Sequence, residues 1–145
     1  MLTRQDWLLL ALSKSPGGAM SPVQIQKTMF LFGQGAGDSI GTVFYSFQPY
    51  DYGPFDAAIY ADLRRMTSLG HVRGEWNPDQ SWKTWTITAP GRYAALALEN
   101  DADARLNDYL GRVVTWVRGK SFAELLRSVY AAYPEFAVNS VFRGS

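Results

Sequence analysis

Cysteine is absent from the 145 residues, which excludes a disulfide framework, a thiolate zinc site and a cysteine nucleophile. Histidine occurs once, at His71, so any zinc would need carboxylates for its other ligands, an unlikely structural set. A surplus of one charge is also missing. The 14 basic and 13 acidic residues leave a net charge of +1, without the basic excess typical of a strong nucleic-acid binder. No apolar run approaches the roughly 20 residues of a membrane-spanning helix. The start of the chain carries Arg4 and then Asp6, with no long apolar stretch or small-residue cleavage site. The resulting expectation is a cytoplasmic protein with no membrane partner, no metal and no cofactor.

What is present has an ordinary globular balance: 47% hydrophobic and 19% charged residues. Aromatics reach 14%, enough for a ring-rich core with some rings left for a binding surface. The length fits one domain, expected over residues 1–142, with a core over about 3–90 and helices over about 91–142. Arg143, Gly144 and Ser145 resemble a tag remnant and are left out of the fold reading.

Thr3 caps a first expected helix carrying Trp7, Leu8, Leu10, Ala11 and Leu12, which Ser15-Pro16-Gly17-Gly18 ends. Ser21-Pro22 opens a second with a preferred cap and a first-turn proline. Residues 33–37 (Gly-Gln-Gly-Ala-Gly) are expected to end it as a loop. Residues 43–47 (Val-Phe-Tyr-Ser-Phe) read as a strand, followed by a tight turn through Tyr50, Asp51, Tyr52, Gly53 and Pro54. A third helix places Phe55, Ile59, Leu63 and Met66 on one face and stops at Gly70. Two arms, 71–76 and 82–88, flank a turn at Asn77-Pro78-Asp79-Gln80 and form a hairpin. A fourth helix is expected from Arg92, a fifth with Leu106, Leu110, Val113 and Val117, and a last with Phe122, Leu125, Leu126, Val129 and Tyr130. The expected class is α+β, mostly helical: a winged-helix-like core with a β-hairpin wing and a C-terminal helical extension. The long aromatic insertion at 40–54 separates it from a simple helix-turn-helix.

Two segments carry a resemblance. Ile25-Gln26-Lys27-Thr28-Met29-Phe30 resembles the Leu-Gln-Lys-Leu-Leu-Tyr/Phe helix motif of the Panacea domain, the SocA-like, phage-associated antitoxin family. The aromatic stretch from Phe47 through Gly53-Pro54 to Phe55 resembles that family's segment ending in Gly-Pro, and Tyr60 falls where the family often has tyrosine. The likeness covers about residues 5–98. It implies a non-enzymatic protein that neutralises or regulates a partner, such as the toxin of a toxin–antitoxin system. The partner surface is then expected at Gln26, Lys27, Tyr50, Tyr52, Gly53, Pro54 and Tyr60.

Other chemistry is thinly supported. His71 follows a helix-ending glycine, where a surface or capping role is ordinary. Glu99, Asp101 and Asp103 lack the spacing of a calcium loop and read as a solvated helix start. Asp51 and Asp56 flank the turn, where capping the third helix outweighs a carboxylate pair. The glycines at 33–37 follow a helix and lack a Lys-Ser or Lys-Thr partner, so they are no phosphate loop. Gln26 has two readings, an exposed helix face or a side chain bonding the backbone of the Gly-Pro turn. The alternative function is DNA binding by Arg64, Arg65 and Lys83, against a solvated face paired with Asp62. Of Trp76, Trp82 and Trp85, two are expected to bury and one to remain available. The last two helices are the expected surface for a homodimer.

Overall fold

A computed structural model of the chain describes residues 1–79 and 81–142. Gln80, expected in the hairpin turn, and the remnant-like residues 143–145 lie outside the described residues. The architecture is α+β and mostly helical.

Helix α1 (Arg4–Lys14) begins at the Thr3 cap, whose side chain accepts the Asp6 N–H while Asp6 reciprocates on the Thr3 N–H. Its run from Trp7 to Leu12 is buried without a break. A helix buried all round belongs at the centre of the fold, and α1 packs on helices from both halves of the chain. A short 3-10 turn over Pro16–Gly18 leads into strand β1 (Ala19–Met20). Helix α2 (Pro22–Ala36) starts at a second capping box, Ser21 with Gln24.

Strands β2 (Gln48–Tyr50) and β3 (Gly53–Phe55) form a small antiparallel ribbon with Tyr50 opposite Gly53. Helix α3 (Ala58–Ser68) buries Ile59, Leu63 and Met66. It ends at Gly70, in the left-handed region at φ +79°, where the His71 N–H bonds the Met66 carbonyl. Strands β4 (Val72–Trp76) and β5 (Lys83–Ile87) pair as expected. β1 adds to the far edge of β5, giving the order β1-β5-β4. Helices α4 (Ala89–Asp101), α5 (Ala104–Arg118) and α6 (Phe122–Ala132) follow, with a 3-10 turn at Pro134–Ala137. Phe30, Val113, Val117, Leu125 and Val129 bind α2, α5 and α6 into a second apolar cluster. None of the helices is long and apolar enough to cross a membrane among the described residues.

Four expectations need correction. Residues 43–47 form no strand; Tyr45 is buried and Phe44 and Phe47 pack on the core, while Val43 is exposed. The rings there are held by α2 and by other rings, not by a β-ladder. Helix α2 does not stop at Gly33 but runs to Ala36. A Cβ on Gly33 would press on the Phe44 ring and one on Gly35 on the Tyr109 ring, so these glycines admit rings. Phe55 belongs to β3, not to the helix after it. Helix α4 begins at Ala89 rather than Arg92, because Thr88 caps it and Pro90 needs no N–H partner in the first turn.

Candidate functional site

The β2–β3 ribbon is three residues long on each arm, too short to hold its shape alone. Two adjacent side chains of α2 clamp it from below. Gln26 Nε2 donates to the Asp56 carbonyl at 3.0 Å, and the Asp56 N–H donates to Gln26 Oε1 at 2.9 Å. Lys27 Nζ donates to the Pro54 carbonyl at 3.1 Å. Both residues are only 2% exposed. Burial lowers the Lys27 pKa to about 7, since a charged ammonium is poorly accommodated away from water. Gly53, at φ +90°, closes the turn, and a Cβ there would meet Tyr130 at 3.3 Å and Lys27 at 3.4 Å.

The C-terminal segment secures the other side. The Val141 N–H and the Ser140 hydroxyl both donate to the Asp51 carbonyl, at 2.9 and 3.2 Å. The Tyr130 hydroxyl donates to Ser140 Oγ at 2.6 Å. What this double clamp displays is aromatic. Tyr50 is 52% exposed and stacks on Phe55 at 4.7 Å between centroids. Tyr52 is 44% exposed and meets Phe122 edge-on at 5.5 Å. Tyr52 and Phe122, with Trp82 and Pro22, border a crevice of about 420 Å³.

The expected partner-facing set therefore divides. Tyr50 and Tyr52 face solvent, and Tyr60 is half-buried with its hydroxyl pKa raised by burial. Gln26, Lys27, Gly53 and Pro54 are buried and offer no contact surface, which corrects that part of the expectation. Their polar atoms are spent on the turn's own backbone, the second of the two readings of Gln26. Phe122 and Trp82 lie beside Tyr52, although the sequence pattern places Phe122 in a helix stripe and Trp82 only among the hairpin tryptophans. Phe122 looked like part of a core stripe; the Ser121 cap immediately before it puts it in the first turn of α6, where 46% exposure follows.

Asp56 holds the start of α3 in place, accepting the Ala58 N–H at 2.9 Å and the Ser46 N–H at 2.7 Å. Asp103 caps α5 and Glu99 pairs with Lys14 at 3.2 Å. No group of three or more metal-ligating side chains forms among the described residues.

The DNA-reading candidates are dispersed in their roles. Arg64 is exposed on α3. Arg65 is bound to Asp62 and, at 3.3 Å, to Gln5 Oε1. Lys83 lies 5.3 Å from the Trp76 ring and 5.6 Å from the Trp85 ring. Trp85 is buried, Trp82 half-buried and Trp76 66% exposed.

No protein-family model matches the chain, and no curated protein matches it.

Proposed function

We propose that the chain is a non-catalytic binding module that neutralises or regulates a partner protein through the aromatic surface around Tyr50 and Tyr52, as the resemblance to Panacea-type antitoxins implies. One observation carries this reading: a lysine is buried, with no carboxylate partner among the described residues, to hold the β2–β3 turn from beneath. Burying an amine in this way is unfavourable for the fold taken alone. A turn fixed from two sides loses little conformational entropy when a partner docks, and tyrosine is a low-entropy interface anchor. Phe122 and Trp82 widen the same apolar centre, the composition of an interface hot spot.

A second reading, a winged-helix transcriptional regulator, is favoured by topology. Helix α1, strand β1, helix α2, the inserted β2–β3 ribbon, helix α3 and the β4–β5 hairpin, whose sheet takes in β1, follow one another in an order that supports this reading. Arg64 on α3 and Lys83 on the hairpin then meet DNA, with Arg65 committed to Asp62.

The test is an affinity pull-down from the native host, followed by titration of each recovered partner against the wild type and Tyr52→Ala. A stoichiometric protein partner, weakened at least about tenfold by Tyr52→Ala and little changed by salt, supports the antitoxin-like reading. Recovery of DNA alone, with affinity falling steeply in salt and lost in Arg64→Ala/Lys83→Ala, overturns it in favour of the regulator.

A further inference from the structure

On a different face, α2, α5 and α6 enclose an open cavity of about 360 Å³. Its floor is apolar: Leu31 from α2, Val113 from α5 and Val129 from α6. The rings of Trp116 and Tyr133 also line it. The volume lies in the small-ligand range of roughly 300–1,000 Å³, at its lower end. A space of this size suits one ring with a short chain and not a docked helix.

Among the described residues, one charged side chain lines this cavity, Arg112. Its guanidinium is paired with Asp108 at 3.3 Å, four residues earlier on the same helix, and both side chains are more than two-thirds exposed, 71% and 74%. Such a pair is worth about 0.3–0.5 kcal/mol, so a better acceptor displaces it readily. Arg112 also lies 5.7 Å from the Tyr109 ring, which keeps the cation at the cavity rim. The Tyr109 hydroxyl is in turn fixed on the Leu31 carbonyl at 3.3 Å. A second cation, Lys120, lies 5.2 Å from the centroid of the Trp116 ring. An apolar pit with a positive rim is complementary to a molecule with a flat apolar body and one carboxylate, because the guanidinium fork matches a carboxylate bidentately.

We propose that this cavity binds a small aromatic monocarboxylate, its ring against the apolar lining that includes Trp116 and Tyr133 and its carboxylate on Arg112 in place of Asp108. The site is independent of the Tyr50–Tyr52 surface and of the reading built on it.

The experiment is calorimetric titration of the full chain with 4-phenylbutyrate and with its neutral amide. The acid is expected to saturate in the submillimolar range and the amide to bind about tenfold more weakly or less. Arg112→Gln removes the preference for the acid. Asp108→Asn, which frees the guanidinium, tightens the acid a few-fold, an effect a purely structural pair would not produce. Ala132→Trp, at an exposed position on the cavity wall, blocks both ligands. Thermal melts of each variant confirm that it is folded. No saturation by about 10 mM, equal binding of acid and amide, or binding that survives Ala132→Trp overturns the proposal. So does uptake of an apolar peptide there with the acid ignored.

Discussion

Lys27 Nζ reaches the Pro54 carbonyl at 3.1 Å across 27 residues of sequence, joining the middle of α2 to the turn it supports. Burial lowers the pKa of this amine to about 7, against 10.5 for an exposed lysine. The unfolded chain therefore binds the extra proton between those values. The Lys27 contribution to stability is lowest and flat below pH 7, and rises as pH climbs toward 10.5. The buried hydroxyls of Tyr45 and Tyr60, whose pKa values are raised, act in the opposite sense above about pH 10. Urea unfolding between pH 7 and about 9.5 is expected to gain roughly 2 kcal/mol. Lys27→Met should flatten that slope and be the more stable protein at pH 7. An unchanged slope in the variant would sink the assignment.

Gln26 makes two bonds to one residue, giving to the Asp56 carbonyl and taking from its N–H. Gln26→Leu leaves both backbone groups unpaired in a part-buried place, at a cost of about 2–4 kcal/mol. Hydrogen exchange should quicken at residues 48–56 while the α1 amides keep their relative protection. Partner affinity should fall as well, although Gln26 is itself out of reach of any partner. Uniform acceleration across the chain would instead point to a global role.

Asp62 is 1% exposed and gathers three partners: the Tyr45 hydroxyl at 2.6 Å, Arg4 at 3.0 Å and Arg65. Removing a buried charge from such a cluster is strongly unfavourable, because the remaining cations lose their counter-charge. Asp62→Asn should cost about 3–5 kcal/mol, and Tyr45→Phe about 1–2 kcal/mol, by chemical denaturation. A milder effect of Asp62→Asn than of Tyr45→Phe would contradict the role of Asp62 as the centre of the cluster.

Gly35 lies near the end of α2, where glycine-to-alanine changes commonly stabilise a helix by about 1 kcal/mol. Here a Cβ would collide with the Tyr109 ring, and the sign reverses. Gly35→Ala should lower the melting temperature, and adding Tyr109→Leu should recover part of the loss. Stabilisation by the single change would show that the ring moves aside freely.

Features set within a few residues were legible in the sequence. Thr3, Ser21 and Ser121 announce α1, α2 and α6 because a cap and its third-position partner are close neighbours in the chain. Gly70 stops α3 for an equally local reason, a backbone angle that other residues resist. The β4–β5 pairing followed from alternation around a short turn. The amphipathic α5 stripe needed only helical spacing, and Leu110, Val113 and Val117 are buried as it implied.

Only the tertiary structure decided the sidedness of Gln26 and Lys27. Polar side chains on a helix ordinarily face water, and their burial becomes tolerable only because backbone groups of residues 54 and 56 arrive to pair with them. β1 was equally hidden: two residues carry no periodicity, and Ala19 and Met20 become a strand because β5 offers an edge. Residues 43–47 have the composition of a strand, yet no edge meets them and ring packing takes them instead. The glycines of α2 looked like a helix end until Phe44 and Tyr109 were seen to lie against them. By itself, then, the sequence determined where most helices begin and stop and which faces carry apolar side chains, since those depend on neighbours along the chain. Tertiary structure decided which polar groups are buried and which rings reach solvent, because both depend on partners that folding brings from far away.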